Sequence, residues 1–237
     1  MDIHDKYNDW HTATSSFFVN PLDFQWYQTT LKLMPDLNGL EVLEIGCGSG
    51  AFSQLLLKKF PSIKLTAIDF SEVAIETAKK AGHGIQFAVG DAEKLDFPDQ
   101  SFDFIFSCEV LEHLSHPVNM TKEIYRLLKP GKKFILTTEN YLNGMMLMWL
   151  KFWILKKPFD SGSGEQPHEN FFLFFGVASI IRKGGLKITH TESNHFQWLM
   201  LPGLDPKRLC TLDFKSSFLK KLFKPFGRHY TFCGYRP

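Results

Sequence analysis

The ten residues Glu41–Gly50 read EVLEIGCGSG: a short apolar run, an acid at Glu44, then glycine at Gly46, Gly48 and Gly50. Glycine enters left-handed backbone conformations at no steric cost. Glycine at alternate positions therefore writes a tight turn straight after a strand. The next ten residues, AFSQLLLKKF, read as a helix that Pro61 breaks. A strand passed through such a turn into a helix is the opening unit of a layered α/β sheet.

Strand and helix signals alternate from there on. IKLTAID, IQFAV, FDFIFS and KKFILTT read as strands two to five. SEVAIETAKKA reads as a helix with Ser71 as N-cap and Ala74, Ile75 and Ala78 on one face, ended by Gly82. A helix over about Val118–Leu128 closes at Pro130-Gly131, another lies near 171–182, and 186–192 and 228–235 read as the last strands. Upstream, Leu22–Met34 reads as a helix stopped by Pro35, inside an aromatic-rich segment with Tyr7, Trp10, Phe18, Trp26 and Tyr27. The pattern predicts an α/β fold, a doubly wound, Rossmann-like, mostly parallel seven-stranded sheet with helices on both faces. One domain accounts for the chain. It divides into a helical N-terminal cap (1–38), a cofactor-binding core (39–139), an apolar insert or lid (140–185), and C-terminal strands with a basic amphipathic segment (186–237).

With 237 residues, 44% of them hydrophobic, the chain can bury a full core. Its net charge of +2 selects no partner. The four cysteines, Cys47, Cys108, Cys210 and Cys233, have no CxxC spacing and read as reduced thiols of a cytoplasmic protein. The polar start MDIHDKYNDWH is no signal peptide. No apolar run reaches the roughly 20 residues of a membrane-spanning helix.

Two cofactor classes use a glycine turn of this kind: dinucleotides and S-adenosylmethionine. The dinucleotide fingerprint GxGxxG spaces its third glycine differently, and the phosphate-loop pattern GxxxxGK[ST] is absent. S-adenosylmethionine has no phosphate. It needs close passage of the chain, and its ammonium and sulfonium charges welcome an acid such as Glu44. Asp69 ends the second strand, where an acid accepts hydrogen bonds from ribose hydroxyls in either class. VGDAEKLDF then places Asp91 and Ala92 to meet an adenine edge, FDFIFSCEVLEHL opens its strand end at Cys108, and LLKPGKKFILTT turns at Pro-Gly. Each has a plainer reading, Asp91 as a helix cap or Asp103 as a turn residue. The four in this order point to S-adenosylmethionine, with S-adenosylhomocysteine as the product.

On these motifs, residues 41–139 resemble the class I S-adenosylmethionine-dependent methyltransferases, and within them the branch that includes the ubiquinone-biosynthesis O-methyltransferases. The resemblance implies that Glu44, Gly46, Cys47, Gly48 and Gly50 form the cofactor loop. It implies that Asp69 holds the ribose, that Phe70 lies beside the adenine face, and that Asp91 and Ala92 meet the adenine edge. Cys108 turns its backbone to the methionine part. FFVNPL is similar to that branch's cofactor-covering turn, but Phe18 stands where an arginine is expected, so a salt bridge to the cofactor carboxylate is not supplied there.

The implied reaction is an in-line displacement at the methyl carbon, in which the protein mainly orients the partners, worth roughly 7–11 kcal/mol. A base is needed only for an acceptor that arrives protonated. Candidates are Glu109, Glu112 and His113 after strand four, and His168 with Glu169 in GEQPHENFF; His113 and His168 are taken as the catalytic pair of choices. His4, His11, His83, His116, His190, His195 and His229 receive no role, and no metal-ligand spacing is present. MMLMWLKFWILKKPF, from Met145, is apolar nearly all round and fits a buried helix, a membrane-surface helix or a lid over an apolar acceptor; the lid is the expectation, with Trp149, Phe152 and Phe18 in the substrate pocket. SSFLKKLFKPFGRHY is a basic amphipathic stretch suited to a membrane surface. The expected activity is methyl transfer to oxygen or nitrogen of a small, apolar or aromatic acceptor, in the cytoplasm or at a membrane periphery, with no nucleic-acid partner. The alternatives are an RNA methyltransferase using the basic segment, and a cofactor-binding module without turnover.

Overall fold

A computed structural model of the chain describes residues 2–14, 20–81, 83–139, 170, 172–194 and 229–237. Seven strands form one sheet: β1 (Glu41–Ile45), β2 (Lys64–Asp69), β3 (Gln86–Val89), β4 (Phe102–Cys108), β5 (Leu128–Glu139), β6 (Lys187–Asn194) and β7 (His229–Tyr235). Their order is β3-β2-β1-β4-β5-β7-β6. The first five pair in parallel, and β7 runs antiparallel to both β5 and β6. The mostly parallel, doubly wound sheet expected from the sequence is the sheet observed.

Alternation along β1 shows how the two layers form. Val42 packs with Phe52, Leu56, Phe104 and Phe106 on one face. Leu43 and Ile45 pack with Met120, Ile124, Leu127 and Ile181 on the other. The helices on the first face are α2 (Gln25–Leu33), α3 (Ala51–Lys59) and α4 (Glu72–Ala81); on the second are α5 (Pro117–Leu127) and α6 (Phe174–Lys183). Ser71 caps α4 as read from the sequence, its hydroxyl accepting from the Ala74 amide at 3.2 Å.

Two local readings change. The N-terminal helix of the sheet layer starts later than Leu22, because Pro21–Asp23 forms a separate 3-10 turn whose first amide is met by the Asn20 side chain. A further helix, α1 (Ile3–Thr14), precedes it. The Pro130-Gly131 corner is no break between helix and strand but part of β5. Phe102 pairs with Leu128 and Phe104 with Lys133, so residues 129–132 arc out of register as a bulge.

Arg126, near the end of α5, fastens the loop after β3. It donates to the Leu95 carbonyl at 2.8 Å and the Phe97 carbonyl at 2.6 Å, and pairs with Glu123 at 2.7 Å and Asp99 at 2.8 Å. Cys47, Cys108 and Cys233 are free thiols. Among the described residues no helix is long and apolar enough to cross a membrane. Gly82, residues 140–169 and 171 of the apolar insert, and residues 195–228 with the basic segment before β7 lie outside the described residues.

Candidate active site

A cavity of about 680 Å³ opens at the carboxyl ends of β1 to β4, roofed by α1 and by the 3-10 turn with α2. Its position follows from topology. Strand order reverses between β1 and β4, and connections leave that point on opposite faces of the sheet.

The glycine loop forms the floor. Gly46, Gly48 and Gly50 have φ of 79°, 53° and 78°. Two of the three are glycine for packing: a Cβ on Gly46 would sit 2.1 Å from Val110, and one on Gly50 would sit 2.9 Å from Phe87 and 3.0 Å from Ala78. Gly48 differs. Nothing lies within 4 Å of its missing Cβ, and it lines the cavity, so it leaves a cradle for a ligand. The Gly48 amide donates to Asp69 Oδ2 at 2.8 Å, and the other oxygen accepts from the Ser71 amide at 3.0 Å.

Cys47, Gly46, Asp69, Phe70, Asp91, Ala92 and Cys108 all line this one cavity. Phe70 meets His4 and Tyr7 of α1 edge-on, at ring centroids 5.0 and 5.9 Å apart. Asp91 turns Oδ1 back to the Glu93 amide at 2.8 Å, which holds the loop after β3 in shape. Glu44 and Gly50 stand outside the lining. The Glu44 carboxyl is buried behind the loop, accepts from Ser53 Oγ at 2.5 Å, and is pushed by burial up to about 8. Burial favours its neutral form, and through Ser53 it braces the turn from behind the cavity wall.

The lining carries Asp69, Asp91, Glu93 and Glu109 and, among the described residues, no lysine or arginine. A pyrophosphate would find no cation there. A ligand with an ammonium, a sulfonium and two ribose hydroxyls finds acids, a cradle at Gly48 and the Phe70 ring. The residues present fit S-adenosylmethionine, which when bound supplies a methyl group activated for displacement by its positive sulfur.

The Methyltransferase domain family matches residues 43–136. The demethylmenaquinone methyltransferase of Thermotoga maritima is 31% identical over 168 residues, 68% of this chain and 72% of that protein. The chain belongs to the class I S-adenosylmethionine-dependent methyltransferases. A ubiquinone/menaquinone biosynthesis C-methyltransferase of Desulfotalea psychrophila is 32% identical over 115 residues, 48% of this chain and 47% of that protein. In fold, the chain is similar to a solved methyltransferase of Thermotoga maritima described as a possible histamine N-methyltransferase, with a TM-score of 0.67 at 20% identity over 100% of both chains.

On the β4 side of the cavity, where acceptor binding was expected, Phe24, Trp26, Tyr27, Glu109 and His113 join the lining. Of the acids expected there, Glu112 is withdrawn. It is 1% exposed, accepts from Thr138 Oγ1 at 2.9 Å, and burial raises its pKa well above the usual range. Phe18, Trp149, Phe152 and His168 lie outside the described residues. The sequence reading passed over two histidines. His11 of α1 reaches 3.8 Å from Asp69, with its pKa lowered by burial against the pull of that carboxylate. His229 lies 3.2 Å from Glu109, with Trp26 tilted over its ring at 4.7 Å. One side-chain atom each from Glu109, Glu139 and His229 falls within 4.8 Å of the others. No sequence spacing announces this group, because it gathers from three strand ends.

Proposed function

We propose that the enzyme methylates a small, largely apolar acceptor built on a hydroxylated aromatic ring, of the reduced-quinone type. The observation that carries the reading is the make-up of the proposed acceptor end: the rings of Phe24, Trp26 and Tyr27 line the same cavity as the Glu109 carboxylate. Flat apolar walls favour a ring by stacking and edge contacts. The names of the relatives, which act in menaquinone and ubiquinone synthesis, agree with such a ring. The receiving atom is the ring oxygen or the carbon beside it, since ionising a phenol loads both with electron density. The sequence favoured oxygen or nitrogen; the C-methyltransferase relative adds carbon.

Within this reading His113 and His168 remain the histidines proposed to meet the acceptor. Trp149 and Phe152 are proposed to cover it as part of a lid, and the basic amphipathic segment to rest on the membrane that holds a lipid-tailed acceptor.

The test is product analysis. The protein, methyl-labelled cofactor and a panel of 1,4-dihydroxynaphthalene, a catechol and histamine are incubated, and mass spectrometry locates the label. Label on the naphthalene or catechol ring system is expected. Label on histamine alone overturns the proposal. Trp149→Ala should raise the KM for the ring acceptor at least tenfold, the loss of roughly 1.5–3 kcal/mol of aromatic burial, with cofactor affinity unchanged.

A further inference from the structure

Glu109 follows β4 with a φ of 55°, a left-handed conformation that non-glycine residues adopt at a cost. The turn is held from β5. The Glu109 amide donates to the Thr137 carbonyl and to Thr137 Oγ1, both at 3.2 Å, and Thr137 Oγ1 donates in turn to Glu109 Oε1 at 2.6 Å. The second carboxylate oxygen accepts from His229 Nδ1 at 3.2 Å. His229 is itself 3% exposed and fixed by the pairing of β7 with β5, where it stands opposite Glu139. A strained residue, clamped on both oxygens, thus presents a partly exposed carboxylate to the cavity.

We propose that Glu109 is the proton acceptor for the methyl acceptor, with Thr137 and His229 as its positioning residues, and that the acceptor accordingly carries a weakly acidic hydroxyl. This rests on the ring-hydroxyl reading above. In the step, the acceptor O–H bond breaks, its electron pair stays on the acceptor, and the proton passes to a Glu109 oxygen. With S-adenosylmethionine bound, that pair, or the adjacent ring carbon, would take the methyl carbon as the methyl–sulfur bond breaks and its electron pair stays on sulfur, leaving S-adenosylhomocysteine; a methylated ring carbon would then lose its own hydrogen as a proton. Glu109 returns its proton to water once the site opens.

Among the described residues, the other groups that face Glu109 are Tyr27 of α2, Cys108 of β4, Glu112 of the turn after it, Glu139 of β5 and His229 of β7; His113 shares the cavity. Burial raises Tyr27, Cys108 and Glu112, favouring their neutral forms.

The experiment compares the parent protein with Glu109→Gln and His229→Gln. S-adenosylhomocysteine binding is measured by calorimetry, and 4-nitrophenol binding to the S-adenosylhomocysteine-saturated protein by difference absorbance. Methylation of 1,4-dihydroxynaphthalene is followed from pH 6 to 10. Glu109→Gln should keep S-adenosylhomocysteine affinity within threefold, weaken nitrophenol at least tenfold below neutral pH, and slow methylation about 10²–10⁴-fold at pH 7. The deficit should shrink toward pH 10, where phenols ionise unaided. His229→Gln should show the same pattern at about a tenth of the size. Equal nitrophenol affinity in parent and Glu109→Gln overturns the proposal, as does a deficit that pH does not alter. A rate abolished by chelation and restored by Mg²⁺ also overturns it, by giving Glu109, Glu139 and His229 to a cation. If the parent methylates neither dihydroxynaphthalene nor the catechol, the ring-hydroxyl reading fails, and the nitrophenol comparison still judges Glu109 alone.

Discussion

The Gly48 amide donates to Asp69 at 2.8 Å, so the cradle in the glycine loop and the carboxylate at the end of β2 form one hydrogen-bonded unit. Asp69→Ala therefore removes more than a partner for ribose hydroxyls. It also frees the Gly48 and Ser71 amides. Affinity for S-adenosylmethionine and S-adenosylhomocysteine should drop at least tenfold in calorimetry, with roughly 1.5–3 kcal/mol of stability lost with these charge-assisted bonds. Unchanged cofactor affinity would remove Asp69 from the site.

The glycines separate binding from folding. Gly48→Val puts its side chain into open cavity at a φ of 53°, at a backbone cost of about 1–2 kcal/mol, and should fold while losing cofactor binding. Gly50→Val drives its side chain into Phe87 and Ala78 and should unfold at clearly lower denaturant concentration than Gly48→Val. Urea melts of the two variants check the order. The reverse ranking would show that the loop is built differently.

Glu44 makes stability depend on pH. Its carboxyl is raised from an ordinary 4.5 to about 8 in the folded protein. Between those values the folded state keeps a proton that the unfolded chain has lost, so stability falls as pH rises. The contribution is full below about 4.5 and gone once pH passes through 8. Glu112, raised in the same direction, adds to the slope. Thermal melts at pH 6 and 9 should show a lower midpoint at pH 9, and Glu44→Gln should reduce the gap. A gap of the same size in that variant would mean Glu44 is ionised throughout.

The core of this design is legible because its signals are local. Strands β1 to β5, Ser71 as a cap and the loop glycines each depend on a few adjacent residues. What stays hidden is assembled from afar. Glu109 and His229 are 120 residues apart and meet only because β7 enters the sheet beside β5. His11 comes to Asp69 because α1 packs on α4, where Asn8 accepts from the Ser71 hydroxyl at 2.8 Å. The setting of Glu44 was hidden for another reason. Its type suggests charge, while its burial, which a residue's letter does not carry, favours the neutral form.

Arg126 tests the frame around the adenine side. Its guanidinium satisfies two carbonyls and two carboxylates of the loop and helix. Arg126→Ala leaves those carbonyls without a donor and should cost about 2–3 kcal/mol in urea unfolding. Arg126→Lys should recover less than half, because one ammonium cannot reproduce the planar fork. Full recovery by lysine would reduce the role of Arg126 to simple charge.

Insertion of β7 between β5 and β6 also sets an order of events during synthesis. Among the described residues, the neighbour of β6 in the sheet is β7, which leaves the ribosome after it. Residues 195–228 must be made first, which at about 5–20 residues per second takes on the order of seconds. Throughout that interval the backbone edge of β5 from Lys133 to Glu139 is an open template beside the apolar Phe134 and Ile135. A message broken before codon 229 yields a chain that carries the glycine loop but lacks His229 beside Glu109 and leaves β5 without β7. For this enzyme the quality of the product depends on whether β7 arrives.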